Sequence, residues 1–259
     1  MRVQPTSTEK LLAHVDGGIG WVTFNNPEKH NAMTGEMFAA LSELTEAWED
    51  DDEVRVVVAR GAGERAFVSG ADIGDFGSGI KNVASTRPRR RLLETSKPVI
   101  AMIHGYCIGG GLMVALGADI RVAADDAQFG VPAAKLGIAY PYDAVQHLVT
   151  LVGPEWTSRI LLTAERIGAV DALRIGLISQ VVPKVDLEAV VVALAGNIAR
   201  LAPLSLHASK TSVRAAVRGS QSDDLDAVSA AAGACWTSED FAEGRRAFAE
   251  KRPAAFRGR

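Results

Sequence analysis

The sequence predicts an α/β fold, and three observations carry that expectation. Short valine- and isoleucine-rich runs alternate with helical patterns up to residue 185, helical patterns dominate over residues 186–259, and one apolar run leads directly into three glycines that open a helix. The expected organisation is one principal core over residues 1–185 and a helical region over 186–259.

The strands are expected at residues 19–24, 55–58, 99–103 and 120–123, where β-branched residues cluster between turn signals. The first strong helix is expected to start after Thr34, whose hydroxyl suits an N-cap. It sets Met37, Phe38, Leu41, Leu44 and Trp48 at helical spacing, which reads as a core-facing stripe. The acidic residues 49–53 read as a solvated turn closing it. Residues 170–175 read as a short helix stopped at Gly176, a C′ glycine, before the strand-like 177–182. The tail divides into helices over roughly 187–201 and 204–217 and a pair starting at Asp223 and after Ser238, the last an N-cap. Apolar residues Leu204, Leu206, Val213 and Val217 are expected to form an exposed face. No low-complexity linker or solenoid-period repeat interrupts the chain.

Composition narrows the function. With 259 residues and 47% hydrophobic content, the chain can bury a substantial core. Its net charge is -3, and its basic residues are scattered apart from Arg87, Arg89, Arg90 and Arg91, which read as a solvated face, so no nucleic-acid partner is expected. Cys107 and Cys235 stand alone, without metal-ligand or disulfide spacing; no metal is expected, and a cytoplasmic location fits. The polar start 1–10 lacks a signal-peptide core, and Lys184, Asp186 and Glu188 interrupt the best apolar run, so no membrane partner is expected either.

Several chemistries fail on context. Gly61-Ala62-Gly63-Glu64-Arg65-Ala66 has dinucleotide-fingerprint spacing, but residues 66–69 continue as an extended segment instead of a helix. No P-loop, zinc-protease motif or nucleophile elbow is present, and the histidines are scattered. His104, beside the glycines, reads as a satisfied core histidine before a turn. The positive signal is the segment 98–113, Pro-Val-Ile-Ala-Met-Ile-His-Gly-Tyr-Cys-Ile-Gly-Gly-Gly-Leu-Met. A strand that ends in glycines opening a helix presents unpaired backbone N–H groups, which suit an anion or an oxyanion.

Taken with Phe67-Val68-Ser69-Gly70-Ala71-Asp72-Ile73, Asn31-Ala32-Met33, Ala127-Gln128-Phe129-Gly130 and the stretch from Ser238-Glu239-Asp240-Phe241 to Ala247-Phe248-Ala249-Glu250-Lys251-Arg252, that segment resembles the enoyl-CoA hydratase/isomerase, or crotonase, superfamily, over almost the whole chain. The resemblance implies a crotonase-like spiral of ββα units with a C-terminal helical region that builds trimers, or dimers of trimers. It implies an acyl-CoA substrate, with coenzyme A as part of that substrate and no separate cofactor. The N–H groups of Ala71 and Gly110 would form an oxyanion hole. Asn31 and Ala32 would lie in the nucleotide-binding loop, Ser69, Ala71, Asp72 and Ile73 would also belong to the CoA-binding site, and Phe248 and Lys251 would reach the CoA of a neighbouring subunit. Asp72 reads as a loop-fixing carboxylate.

The departures from the family pattern matter as much. Met113 and Ala133 stand where the family's hydratases place two glutamates that share one water, so isomerase- or decarboxylase-type chemistry is favoured over simple hydration. Residues 136–147 offer Tyr140, Tyr142, Asp143 and His147 in their stead. Tyr140 resembles a tyrosine of the family's malonyl-CoA-type decarboxylases, and its alternative reading is an aromatic over the pocket with its hydroxyl satisfied by backbone. Asp143 reads as a lone proton shuttle or as a helix N-cap. A hydratase with relocated acid and base, or a silent acyl-CoA binder, remain alternatives. The irregular stretch 75–88 is where acyl specificity is expected to be set.

Overall fold

The computed structural model describes residues 1–72, 95–219 and 222–259. Ile73, the stretch 75–88 and the run Arg87, Arg89, Arg90 and Arg91 lie outside the described residues.

Two sheets organise the chain. A seven-stranded sheet has the order β1 (Arg2–Gln4), β2 (Leu11–Asp16), β3 (Ile19–Phe24), β4 (Val56–Gly61), β6 (Val99–Ile103), β8 (Ile120–Ala124), β11 (Gln180–Val182). The β1–β2–β3 pairs are antiparallel and every later pair is parallel. A four-stranded sheet has the order β10 (Ile167–Gly168), β9 (Gln128–Gly130), β7 (Tyr106–Ile108), β5 (Ala66–Val68). Strands therefore alternate between the sheets along the chain: β4 then β5, β6 then β7, β8 then β9. Each turn of this spiral places one strand in each sheet, and all the parallel pairs in the small sheet follow from it.

Side-chain alternation explains why the large sheet is covered on both faces. Val57, Ala59, Val99, Ala101 and Ile103 face a core shared with Phe67, Cys107 and Phe129 of the small sheet and with α1 (Gly35–Glu49). Their neighbours Val56, Val58, Ile100 and Met102 face the other way, onto Leu187, Val191 and Ala195 of α5 (Leu187–Ala199). The compositional change near residue 185 is thus a change of element type, and α5 still packs on the sheet.

Thr34 caps α1 as expected, its hydroxyl accepting from Met37 N at 3.4 Å, and Met37, Phe38, Leu41, Leu44 and Trp48 are all buried. The acidic end of α1 departs from the expected solvated turn. Glu49 is half-buried and accepts from Thr95 Oγ1 at 2.7 Å and Ser96 N at 2.9 Å, so it ties α1 to the approach to β6. These hydrogen bonds outweigh burial and hold its carboxyl below the ordinary range.

The remaining helices are α2 (Gly110–Leu116), α3 (Tyr142–Thr163), α4 (Ala169–Arg174), α6 (Pro203–Arg218), α7 (Ser222–Trp236) and α8 (Glu239–Glu250). Gly153 (φ 76°) followed by Pro154 kinks α3. Ser238 caps α8 by accepting from Phe241 N at 3.0 Å. Lys210 anchors α6 to the core, donating to Asp119 Oδ2 and to the Lys97 carbonyl, each at 2.6 Å. Val213 and Val217 are exposed as expected, whereas Leu204 and Leu206 are half-buried against the body of the chain. Among the described residues, no single helix is long and apolar enough to cross a membrane.

Candidate active site

Two loops and one helix start converge. The first loop follows β3 and contains a 3-10 turn (Pro27–Lys29), after which His30 (φ 51°) and Asn31 (φ 57°) take the left-handed conformation. Asn31 stands in the loop expected to bind the nucleotide, and its side chain is fully buried. Nδ2 donates to the carbonyls of Ala62 and Ala66 at 2.9 and 2.8 Å, and Oδ1 accepts from Asn26 N at 2.9 Å. An amide that satisfies three backbone groups is a strut beneath the loop, because leaving those groups unpaired in the interior would be costly.

The second loop, residues 69–72, is laced to the first. Ser69 donates from N to the His30 carbonyl at 3.0 Å and from Oγ to the Lys29 carbonyl at 3.2 Å. Lys29 Nζ meets Asp72 Oδ2 at 2.7 Å, which gives Asp72 the loop-fixing role expected of it. Nothing in the sequence marked Lys29, since its partner lies 43 residues away. Met33 and Ala71 form a parallel bridge, with Met33 N on the Gly70 carbonyl and Asp72 N on the Met33 carbonyl, both at 2.8 Å. In such a bridge the central residue's own N–H points to the opposite side, so the Ala71 N–H faces away from Met33.

On that side stands the start of α2. A Cβ on Gly110 would lie 3.1 Å from Ala71 N and 3.2 Å from the Gly70 carbonyl carbon, so the sequence-predicted pair Ala71 and Gly110 is held side by side. Neither N–H has a hydrogen-bond acceptor among the described residues. Gly110 opens α2, where the first amides lack intrahelical partners.

The three glycines divide the work. Gly109 (φ 54°, ψ −112°) adopts a backbone that L side chains rarely reach. Gly110 leaves room beside Ala71 N. Gly111 lets α2 close onto β5, because a Cβ there would fall 1.9 Å from the Val68 carbonyl oxygen.

The flanking residues come from the end of β9 and the turn after it. Gly109 N donates to the Gly130 carbonyl at 2.8 Å, and a Cβ on Gly109 would lie 3.8 Å from Pro132 Cδ. Ala133 follows in a 3-10 turn (Pro132–Leu136), half-buried, and Met113 is half-buried on the first turn of α2. Tyr140 packs against the core, and its hydroxyl donates to the Gly109 carbonyl at 3.1 Å, the backbone-satisfied arrangement. Asp143 does not cap α3; Pro141 holds the cap position, and Asp143 sits half-buried in the first turn, where its charge favours the helix N-terminus. His104 lies in another corner, buried at the turn between β6 and β7 near Lys184 and Asp126, and burial first, then the Lys184 charge, lowers its pKa. Phe248 and Lys251 are exposed at the end of α8, and no hydrogen bond or ion pair among the described residues joins them to Ala71 and Gly110.

With this geometry in place, comparisons with known proteins are specific. The family model described as enoyl-CoA hydratase/isomerase matches residues 14–259. The short-chain-enoyl-CoA hydratase of Clostridium acetobutylicum is 35% identical, over 93% of this chain and 95% of that protein. The carnitinyl-CoA dehydratase of Escherichia coli O157:H7 is 34% identical, over 97% of this chain and 100% of its own length. The structure of Pseudomonas aeruginosa DspI superposes with a TM-score of 0.90 at 31% identity, covering 96% of this chain and 97% of that one. A spiral of alternating strands, a helix opened by three glycines and full-length similarity agree: the chain belongs to the enoyl-CoA hydratase/isomerase, or crotonase, family and is an enzyme of that family.

Proposed function

We propose that the protein turns over an acyl-CoA thioester through an enolate whose oxygen is held by the N–H groups of Ala71 and Gly110, in a reaction that needs no activated water. The observation that carries this reading is the pair of adjacent amides, without an acceptor among the described residues, with Met113 on the first turn of the helix that Gly110 opens and Ala133 following Pro132, which lies beside Gly109. A thioester that becomes an enolate places a full charge on its oxygen, and one well-placed donor contributes roughly 3 kcal/mol to such a transition state. A thioether and a methyl group can neither take a proton from water nor return one to carbon. Loss of CO2 from a 2-carboxyacyl thioester leaves the enolate directly, with the C–C bonding pair passing into the thioester. Double-bond isomerisation needs a single shuttle, for which Asp143 is the candidate carboxylate. Coenzyme A enters as part of the substrate, with no separate cofactor.

The hydratases and dehydratase among the relatives favour a second reading, in which hydration persists with relocated acid and base groups. Incubation with enoyl-, dienoyl- and malonyl-type CoA thioesters, followed by mass spectrometry, separates the readings. Loss of CO2 or an isobaric product supports the first, gain of water supports the second, and binding without product in every case means a silent binder.

We further propose a trimer, or a dimer of trimers, in which Phe248 and Lys251 complete a neighbour's CoA site. In the single chain Phe248 is 89% exposed and Trp236 70%, and Val213 and Val217 are exposed as well, apolar side chains that a cyclic interface would cover.

A further inference from the structure

We infer that Tyr140 is a positioning residue for the oxyanion hole, acting through the Gly109 carbonyl to fix the donor direction of the Gly110 N–H; this rests on the enolate reading above. The Gly109 carbonyl and the Gly110 N–H belong to one planar peptide unit, so whatever fixes one fixes the other. That unit lies between two glycines, and Gly109 at φ 54° and ψ −112° has the backbone of the first central residue of a type II′ turn. A peptide between two residues without Cβ atoms is the softest link a chain offers. A donor amide that must stay aimed at one point therefore needs an external restraint.

The structure supplies two. Met113 N donates to the Gly109 carbonyl at 3.1 Å as the first bond of α2, and Tyr140 Oη donates to the same oxygen at 3.1 Å from outside the helix. A carbonyl oxygen has two lone pairs, and here both are used. Hydrogen bonds onto the carbonyl also draw electron density through the amide, which strengthens its N–H as a donor. The ring packs half-buried against the core, so the hydroxyl is held by a rigid body. This assigns the Tyr140 proton to the backbone and makes the residue an aid to charge stabilisation, whichever proton transfer follows.

The test uses the full-length protein and a 2,4-dienoyl thioester of coenzyme A, whose ultraviolet absorption moves to longer wavelength when donors polarise its carbonyl. Wild type is expected to red-shift the bound ligand, Gly110→Ala to abolish the shift, and Tyr140→Phe to reduce it. Turnover of Tyr140→Phe is expected to fall about 10-fold, as for loss of one neutral hydrogen bond, with the shape of the pH–rate profile unchanged. A Tyr140→Phe variant with full red shift and full rate would reduce Tyr140 to packing and overturn the inference. Full red shift with a lost limb of the pH profile would make Tyr140 a proton donor, and also overturns it. If Tyr140→Phe alone leaves the shift intact while Gly110→Ala removes it, the hole stands and the inference falls. Absence of any shift in wild type would remove the hole itself, and the inference with it.

Discussion

Placing a methyl group on Gly110 tests the site with little disturbance to the fold. Gly110 lies outside the positive-φ region and is the first residue of α2, so alanine is conformationally acceptable there and a better helix former by up to about 1 kcal/mol. The added Cβ lies 3.1 Å from Ala71 N and 3.2 Å from the Gly70 carbonyl carbon. That is a crowded contact, which the 69–72 loop can relieve by a few tenths of an ångström. The gain and the cost are similar, so the melting temperature of Gly110→Ala should stay close to wild type. On the proposed reading the catalytic outcome is different, since a methyl group 3.1 Å from Ala71 N crowds one of the two proposed donors. Losing one oxyanion donor costs roughly 10²–10³-fold in kcat, and blocking the site costs at least as much. Gly111→Ala is the contrasting variant: its Cβ would lie 1.9 Å from the Val68 carbonyl oxygen, a clash that backbone movement must absorb, so it should fold poorly. Thermal melting by circular dichroism and turnover on the substrate found in the thioester panel would be measured together. A Gly110→Ala protein that is folded and works at the wild-type rate would refute the hole; a Gly111→Ala protein as stable as wild type would refute the division of labour among the glycines.

Further outcomes follow from particular contacts. Met113→Glu with Ala133→Glu should raise crotonyl-CoA hydration far more than either change alone, because the two groups act on one water and general acid–base catalysis contributes roughly 10²–10⁴-fold; equal gains from one substitution would contradict this. Lys210→Met should lower the melting temperature, since it removes the donor to Asp119 Oδ2 and to the Lys97 carbonyl and leaves that part-buried carbonyl without its side-chain partner. Burial lowers the Lys210 pKa from 10.5 to about 8, so between these values the unfolded chain binds more protons. The contribution of this group to stability should therefore rise with pH across that window, seen as melting temperatures of wild type and Lys210→Met compared from pH 7 to 10. Glu243 accepts from Arg252 at 2.6 and 3.1 Å, from the Ala255 amide and from Arg246, with Arg252 chief in lowering its pKa to about 2. Its contribution is present above pH 4.5 and lost as the pH falls towards 2, so limited proteolysis should show the C-terminal tail loosening over that range, and Glu243→Gln should remove the dependence. Light scattering should show a trimer or its double, and a monomer that turns over at full rate would refute the cross-subunit role of Phe248 and Lys251.

Local signals were legible wherever their cause was local. The Thr34 and Ser238 caps, the α1 stripe and the strand 99–103 need only a side chain and its own neighbourhood, and all are present. The Gly61–Ala66 string was rightly set aside, since β5 follows it. What stayed hidden depends on distant partners. Glu49 looked solvated because Ser96, which takes it out of solvent, lies 47 residues on. The resemblance places Asn31 in a nucleotide-binding loop, and only the packing of β4 and β5 around it shows that its side-chain amide is consumed internally. Asp143 looked like a cap because aspartate favours caps, but Pro141 supplies the extended backbone two residues earlier.

The same reasoning explains why the hole was easier to read than the proton-transfer groups. Backbone donors set close together require glycine for shape, and the glycines at 109, 110 and 111 stand openly in the sequence. Acid and base groups need only to reach the reacting carbon, so the scaffold can supply them from several elements. Here α2, the turn after β9 and the segment leading into α3 all border Gly109, through Met113, Pro132 and Tyr140 respectively. A change at Met113 or Ala133 leaves the amides of Ala71 and Gly110 in place, because those are held by the 25–34 loop, the Val68–Gly111 contact and the Gly109 carbonyl. On the proposed reading, charge stabilisation and proton transfer are carried by separable parts of the fold, and Met113 and Ala133 bear on the second part alone. The double substitution at 113 and 133 is the direct test of that separation: if restored carboxylates produce hydration without disturbing the dienoyl red shift, the two functions are independent, and if the shift collapses, they are not.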